Sequence, residues 1–240
     1  MQLINRLSNE SARDYAVRFL KHNIVNLFFA PGAIISCHEL ANKIGISRTP
    51  LREAMQELDK IGLLKVHANS GSQISPISYR QLNEFRFVRQ TMDSAVMEQV
   101  CDKIKPVDFF DFEEIIRAQQ NCLKTSQVDR LLELDEKFHR RFYELAGMTA
   151  SYSFMEPVWC HFERFYNLDR NIMYGIQMVE EHQELFKAVK MRDKRAVKKI
   201  IMAHFAPNLK DEQAVVAQHS EYFISDERSQ PDQAGLSGCL

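Results

Sequence analysis

The residues able to do chemistry in this chain fall into two groups. The first is a set of polar side chains on otherwise apolar helical faces. Asp135 and His139 stand four residues apart in a stripe with Leu131, Phe138 and Phe142, so both point the same way from one helix. His182 shares a stripe with Leu185, Phe186 and Val189, and His204 shares one with Val197, Ile200 and Ile201. A buried carboxylate and buried imidazoles need partners. Four such groups facing one bundle core could satisfy each other by holding a metal ion. Three imidazoles and one carboxylate suit zinc, nickel, manganese or iron, with zinc taken first. Any single histidine on an apolar face is more often a satisfied core or rim residue. His161, near Val158 and Phe165, meets the same condition and is not assigned. Periodicity alone does not show that the helices converge.

The second group is Arg48 and Arg52, one turn apart at the start of a short amphipathic helix. Leu51, Ala54, Met55 and Leu58 lie on its other face. Ser47 can cap that helix, and Pro50 is tolerated in its first turn. Upstream, Ser36 and Glu39 form an S-x-x-E capping box for a helix from Cys37 to Ile44 that ends at Gly45. An amphipathic helix over 12–28 precedes them, followed by a Pro31-Gly32 turn. Downstream, Gly62 breaks the helix, and Leu63–His67 can pair with Gln73–Ile77 around Asn69, Ser70 and Gly71. The pattern is a helix-turn-helix with a hairpin wing, a geometry that also occurs in domains that never touch DNA.

After residue 78 the pattern changes to long helical periodicity with almost no strand-like alternation. Helices are expected over about 79–103, 106–124, 126–146, 149–173, 177–191 and 193–218. The fold class is mostly α: a winged helix-turn-helix over 1–78, an all-helical bundle over 79–206, and a largely disordered C-terminal extension over 207–240.

Composition sets the outer limits. Hydrophobic residues make up 45% of the 240, enough for two cores and too many for a disordered chain. No apolar run approaches the ~20 residues of a membrane span, and the N-terminus lacks a secretory signal. Five scattered cysteines form no C-x-x-C pair, which argues against a zinc ribbon or disulfide framework and fits a reducing cytoplasm. Residues 1–80 carry a balance of +4 and the remaining 160 a balance of −5, as befits a nucleic-acid module joined to something else.

The stretch PGAIISCHELANKIGISRTPLREAMQELDKIGLLKVHANSGSQISPIS resembles the DNA-binding domain of the GntR family of bacterial regulators, most closely through SRTPLREAMQELDKIGLL. The resemblance implies that Arg48 and Arg52 reach the DNA, with Ser47 and Thr49 near phosphates. It implies that Gly71 lets the wing tip approach the minor groove. His38 stands where the family often has a basic residue, as do Asn69 and Ser70 in the wing, so phosphate contacts here differ in strength.

The segments LDEKFHRRFYELAG and EHQELFKAVKMRDKRAVKKIIMAH resemble the FCD domain, the all-helical effector domain of the FadR-type branch of that family. The resemblance implies a divalent metal held by Asp135, His139, His182 and His204. It also implies an arginine facing the cavity: FVRQTMDSAV places Arg89 there, with Arg86 a second candidate. Asp93 stands where a glutamate is commoner, and an Arg89–Asp93 pair one turn apart is the rival reading of Arg89. AGMTASY departs from the family's usual turn after the third helix of this region.

The reading that follows is a ligand-responsive transcription regulator, not an enzyme. It acts as a repressor and a homodimer on double-stranded operator DNA, and senses a small carboxylate through its metal. Two rivals stand beside it: a metal-dependent hydrolase, and a DNA-binding regulator whose metal is purely structural.

Overall fold

Ser11 accepts a hydrogen bond from the Asp14 N–H and starts α1, Ala12–Val25. The helix buries Tyr15, Phe19, Leu20 and Ile24 along one stripe. It stops short of residue 28 because Leu27 takes a left-handed φ of 60°. In α2, Cys37–Ile44, the Ser36 hydroxyl accepts from the Glu39 N–H and Gly45 closes the helix at φ 69°. The third helix, α3, runs Arg48–Lys60 over Leu51, Ala54, Met55 and Leu58. Ser47 occupies its N-cap position, but its side chain makes no capping bond. The chemistry explains this: the third helical position, whose N–H such a cap often bonds, is Pro50. The computed structural model describes residues 1–67, 71–168 and 172–224.

A small antiparallel sheet completes this region. It contains β1 (Ile34–Ile35), β2 (Leu64–His67) and β3 (Gly71–Ile74) in the order β1-β3-β2. Leu64 pairs with Ile74 and His67 with Gly71, so the second hairpin strand begins two residues before the expected Gln73 and ends at Ile74 rather than Ile77. Two residues are too few to show alternation, which is why β1 was not foreseen. Asn69 and Ser70 lie outside the described residues. Gly71 has φ +86°, and a Cβ there would come within 2.9 Å of the Ile35 carbonyl oxygen. The close approach of β1 therefore demands glycine at this position.

The remaining helices are α4 (Tyr79–Lys103), α5 (Phe109–Lys124, after a 3-10 turn at Pro106–Asp108), α6 (Val128–Ala146), α7 (Thr149–Tyr166), α8 (Ile172–Lys190), α9 (Lys194–His204) and α10 (Leu209–Gln218). The chain divides into two compact units. The first takes Met1–Leu82, Trp159–Asp169 and the stretch from Leu209; the second takes Asn83–Val158 and Arg170–Asn208. This differs from the three consecutive segments read from sequence, because α7 contributes to both units.

In the second unit α5 packs on α6 and α8, and α8 on α6 and α9. Phe112, Phe138, Phe142 and Phe186 form its aromatic centre, with neighbouring ring centroids 4.5–5.6 Å apart.

The expected helix 193–218 is two helices, α9 and α10. Pro207 divides them, since it supplies no N–H and disfavours helical geometry in the residue before it. Of the segment expected to be disordered from 207, the described stretch from Leu209 to Ile224 is built into the first unit. There Val215, Val216 and Phe223 are buried. The Tyr79 hydroxyl donates to Glu212 at 2.6 Å, and Ile77 bridges to Phe223. Residues 225–240 lie outside the described residues. Likewise α7 ends at Tyr166 rather than 173.

Candidate functional site

The second unit brings Asp135, His139, His182 and His204 together. One potential ligand atom from each lies within 4.8 Å of all the others. Asp135 and His139 come from α6, His182 from α8 and His204 from the last residue of α9. Asp135 Oδ1 stands between two rings, 3.6 Å from His139 Nε2 and 3.4 Å from His182 Nε2. Around one zinc-like ion, ligand atoms at ~2.1 Å from the metal would be about 3.4 Å apart. The cluster is therefore close to a coordination shell.

Each imidazole is also held from behind. His139 Nδ1 lies 2.9 Å from Asp93 Oδ2, and Asp93 accepts a 2.6 Å hydrogen bond from the Tyr143 hydroxyl. His182 Nδ1 lies 3.1 Å from Gln119 Oε1, and His204 Nδ1 lies 2.6 Å from Glu181 Oε2. An oxygen near every Nδ1 favours the ring proton there, through a hydrogen bond at His182 and His204 and a close carboxylate contact at His139, and so favours Nε2 as the lone-pair nitrogen. His182 Nε2 is buried and has no well-formed hydrogen bond among the described residues. The Phe138 ring stacks on His182 at 4.0 Å and fixes its plane.

The electrostatics match a cation site. Burial pushes His182 down to about 3 and also lowers His139, so both rings are neutral near pH 7. Burial opposes ionisation of Asp135, but His182, His139 and Arg89 outweigh it and hold the carboxyl below its usual range. Neutral imidazoles and an ionised carboxylate are the ligand forms a divalent metal requires. The residues present therefore fit such an ion.

Arg89 borders the same cluster. It is 3% exposed, its guanidinium stacks on Phe205 at 3.9 Å, and its Nη2 lies 3.6 Å from Asp135 Oδ2. Its Nε is 3.9 Å from Asp93 Oδ2. Both readings of Arg89 thus describe part of one arrangement, in which it faces the cluster and neighbours Asp93. Arg86 is also buried, and it donates to the Asn83 side chain.

Sequence reasoning did not find Gln119 or Glu181. Gln119 carried the same signal as the histidines, a polar group in the stripe of Phe112, Ile115 and Ile116. Glu181 carried none, since it is simply the neighbour of His182.

The first unit presents a different kind of surface. His38, Ser47, Arg48, Thr49 and Arg52 are all exposed around the N-terminal ends of α2 and α3. Arg48 and Arg52 are exposed one turn apart on α3, flanking its buried residues Leu51, Ala54, Met55 and Leu58. The N-terminal end of a helix attracts phosphate through its unpaired N–H groups and dipole. Gly71 lies within the sheet, where β1 already accounts for the absence of a side chain.

Comparison with known proteins places these two units. Residues 14–74 match the bacterial regulatory proteins of the gntR family, and residues 84–207 match the FCD domain. The HTH-type transcriptional repressor RspR of Escherichia coli is 25% identical over 210 residues, covering 87% of this chain and 92% of RspR. The HTH-type regulator YdhC of Bacillus subtilis is 29% identical, covering 78% and 84%. The solved structure of E. coli McbR/YncC shares the fold, with a TM-score of 0.72 at 19% identity over 87% of this chain and 99% of that one. The chain therefore belongs to the gntR family of bacterial regulatory proteins, with a winged helix-turn-helix followed by an FCD domain.

Proposed function

We propose that this DNA-binding regulator is a metal-containing repressor that responds to a small carboxylate. The observation that carries the reading is the cluster of Asp135, His139, His182 and His204, with an oxygen acceptor behind every imidazole. These four residues hold the divalent ion, with zinc taken first. When bound, the ion supplies a Lewis-acidic point to which an effector oxygen can attach. Arg89 takes the other end of the carboxylate through its guanidinium, and Arg86 lines the same helix one turn earlier. Arg48 and Arg52 read the operator, while Ser47, Thr49 and His38 contact phosphates. The protein acts in the cytoplasm as a homodimer, because two recognition helices match a pseudo-palindromic site.

The test is operator affinity of the metal-loaded protein at fixed salt across a panel of small carboxylates, with and without chelator. One acid should shift the affinity, and chelation should abolish the shift. Metal content of His182→Ala and His204→Ala is measured alongside; a full equivalent retained in both would overturn the site. The position of Arg89 beside Asp135 and Asp93 gives one observation in favour of a purely structural metal. Tight operator binding that no acid alters, with chelation simply unfolding the second unit, would support that reading.

A further inference from the structure

His161, unassigned by sequence and unused by the metal cluster, lies on the part of α7 that belongs to the first unit. Three side chains there reach backbone carbonyls of the helix-turn-helix. His161 Nε2 donates to the Ile61 carbonyl at 2.9 Å, and Arg164 Nη2 to the Ser75 carbonyl at 2.5 Å. Asn167 Nδ2 donates to the Val25 carbonyl at 2.9 Å. The spacing 161, 164, 167 keeps the three on neighbouring positions of one helical side. Their targets are all ends of elements. Val25 is the last residue of α1, Ile61 is the C-cap of α3, and Ser75 follows β3 at the base of the wing.

These are carbonyls that their own elements leave over. At the end of α3, Gly62 N–H bonds to Asp59 and Leu63 N–H to Leu58, the double bond of a Schellman closure. That satisfies Leu58 and Asp59 but not Ile61, whose carbonyl His161 takes. Gly62, at φ +76°, takes the left-handed conformation this closure needs, and the His161 ring packs beside it. Cys160, one residue earlier, is buried in the helix-turn-helix core with Phe19, Leu51 and Leu63. Pro157, inside α7, lies just before the point where the helix passes from one unit to the other. A proline there removes a helical hydrogen bond and provides a natural bending point.

Arg164 is an expensive choice for stability alone. It is 1% exposed, and its Nε and Nη1 find no hydrogen-bond partner among the described residues. A buried guanidinium with one carbonyl and no carboxylate is costly, and an apolar side chain of similar length would be cheaper. We propose that His161, Arg164 and Asn167 are positioning residues for DNA recognition: they form a strap that sets the recognition helix and the wing in register for the operator. Because α7 begins in the second unit, the strap also lies on one of the covalent connections by which the state of the metal cluster could be passed to α3. That second role rests on the sensing function proposed above.

The experiment uses the full-length metal-loaded protein and a duplex selected from a random library by the wild type. Operator affinity, affinity for scrambled DNA and the unfolding midpoint are measured for Arg164→Met, Arg164→Lys, His161→Leu and wild type. Arg164→Met should keep or raise the midpoint and lose tenfold or more in operator affinity, with scrambled-DNA affinity unchanged. Arg164→Lys should recover part of the loss. Undiminished operator affinity in both Arg164→Met and His161→Leu would overturn the proposal. So would a loss that only follows a falling midpoint. Repeating the wild-type titration after chelation separates the two ideas. If chelation changes nothing, sensing by the metal fails, while the strap is still judged by the variants in the metal-loaded form.

Discussion

The two units place their candidate functional side chains by opposite means. In the first, Ser47, Arg48, Thr49 and Arg52 lie within six consecutive residues and are exposed. Local geometry alone puts them on one helix end. In the second, the ligand candidates span Asp135 to His204, come from three helices and are largely buried. Only packing brings them within 4.8 Å. A surface that meets a long polyanion can be built from neighbours in sequence. A cage for a small ion must close on all sides, which requires separate elements.

The largest expected effect breaks the local site without touching the distant one. Arg48→Ala with Arg52→Ala should lower operator affinity by about 10²–10⁴-fold, since each good bidentate base contact contributes ~1–3 kcal/mol. Metal content and the unfolding midpoint should stay at wild-type values. Operator affinity within twofold of wild type would show that α3 does not read the DNA.

Acid tests a place where the first unit also depends on a distant buried group. Burial, with Arg164 nearby, lowers His161 to about 4, although its bond to Ile61 opposes the shift. The unfolded chain takes up this proton near pH 6.5, whereas the folded chain resists until about pH 4. The unfolded state therefore binds more protons across that window, and stability falls as pH falls. The loss by pH 4 is on the order of 3 kcal/mol. Chemical unfolding of wild type and His161→Leu between pH 7 and 4 should show a smaller slope in the variant.

Within the second unit, the groups behind the imidazoles should matter nearly as much as the ligands. Gln119→Met removes the acceptor at His182 Nδ1 and should weaken metal binding by about 10–100-fold, read by competition with a chelator. Operator affinity at saturating metal should be unaffected. An unchanged metal affinity would reduce Gln119 to packing.

The smallest effect compares two serines at two helix starts. Ser36→Ala removes a capping bond and should cost about 1 kcal/mol in unfolding experiments. Ser47 makes no such bond, so Ser47→Ala should cost little stability yet weaken operator binding. A stability loss at Ser47 equal to that at Ser36 would remove the case for a phosphate contact.

Much of this molecule was legible in the sequence wherever the governing interaction is short-range. The capping serine, the left-handed glycine and the 3.6-residue stripe fix α2 and the buried face of α3 within a dozen residues, and α4 runs over the span its periodicity indicates. The same stripe logic flagged Asp135, His139, His182 and His204 as polar groups on apolar faces. It equally flagged His161, which proved to belong to another unit and to cap α3. Periodicity reports that a side chain faces inward, and it carries no information about which core it faces.

The sequence by itself therefore determined most of the helices, the Ser36 cap, the exposed residues at the start of α3 and the four polar groups of the cluster. Tertiary structure alone decided the partners of those groups: Asp93, Gln119 and Glu181 behind the rings, Arg89 beside Asp135, and the division of α7 between two units. It also decided that Val215, Val216 and Phe223, which follow the proline break, are buried within the first unit. The physical reason is range. Caps and stripes act over a few residues along the chain, whereas burial and hydrogen bonding between distant segments depend on contacts that exist only once the chain has folded.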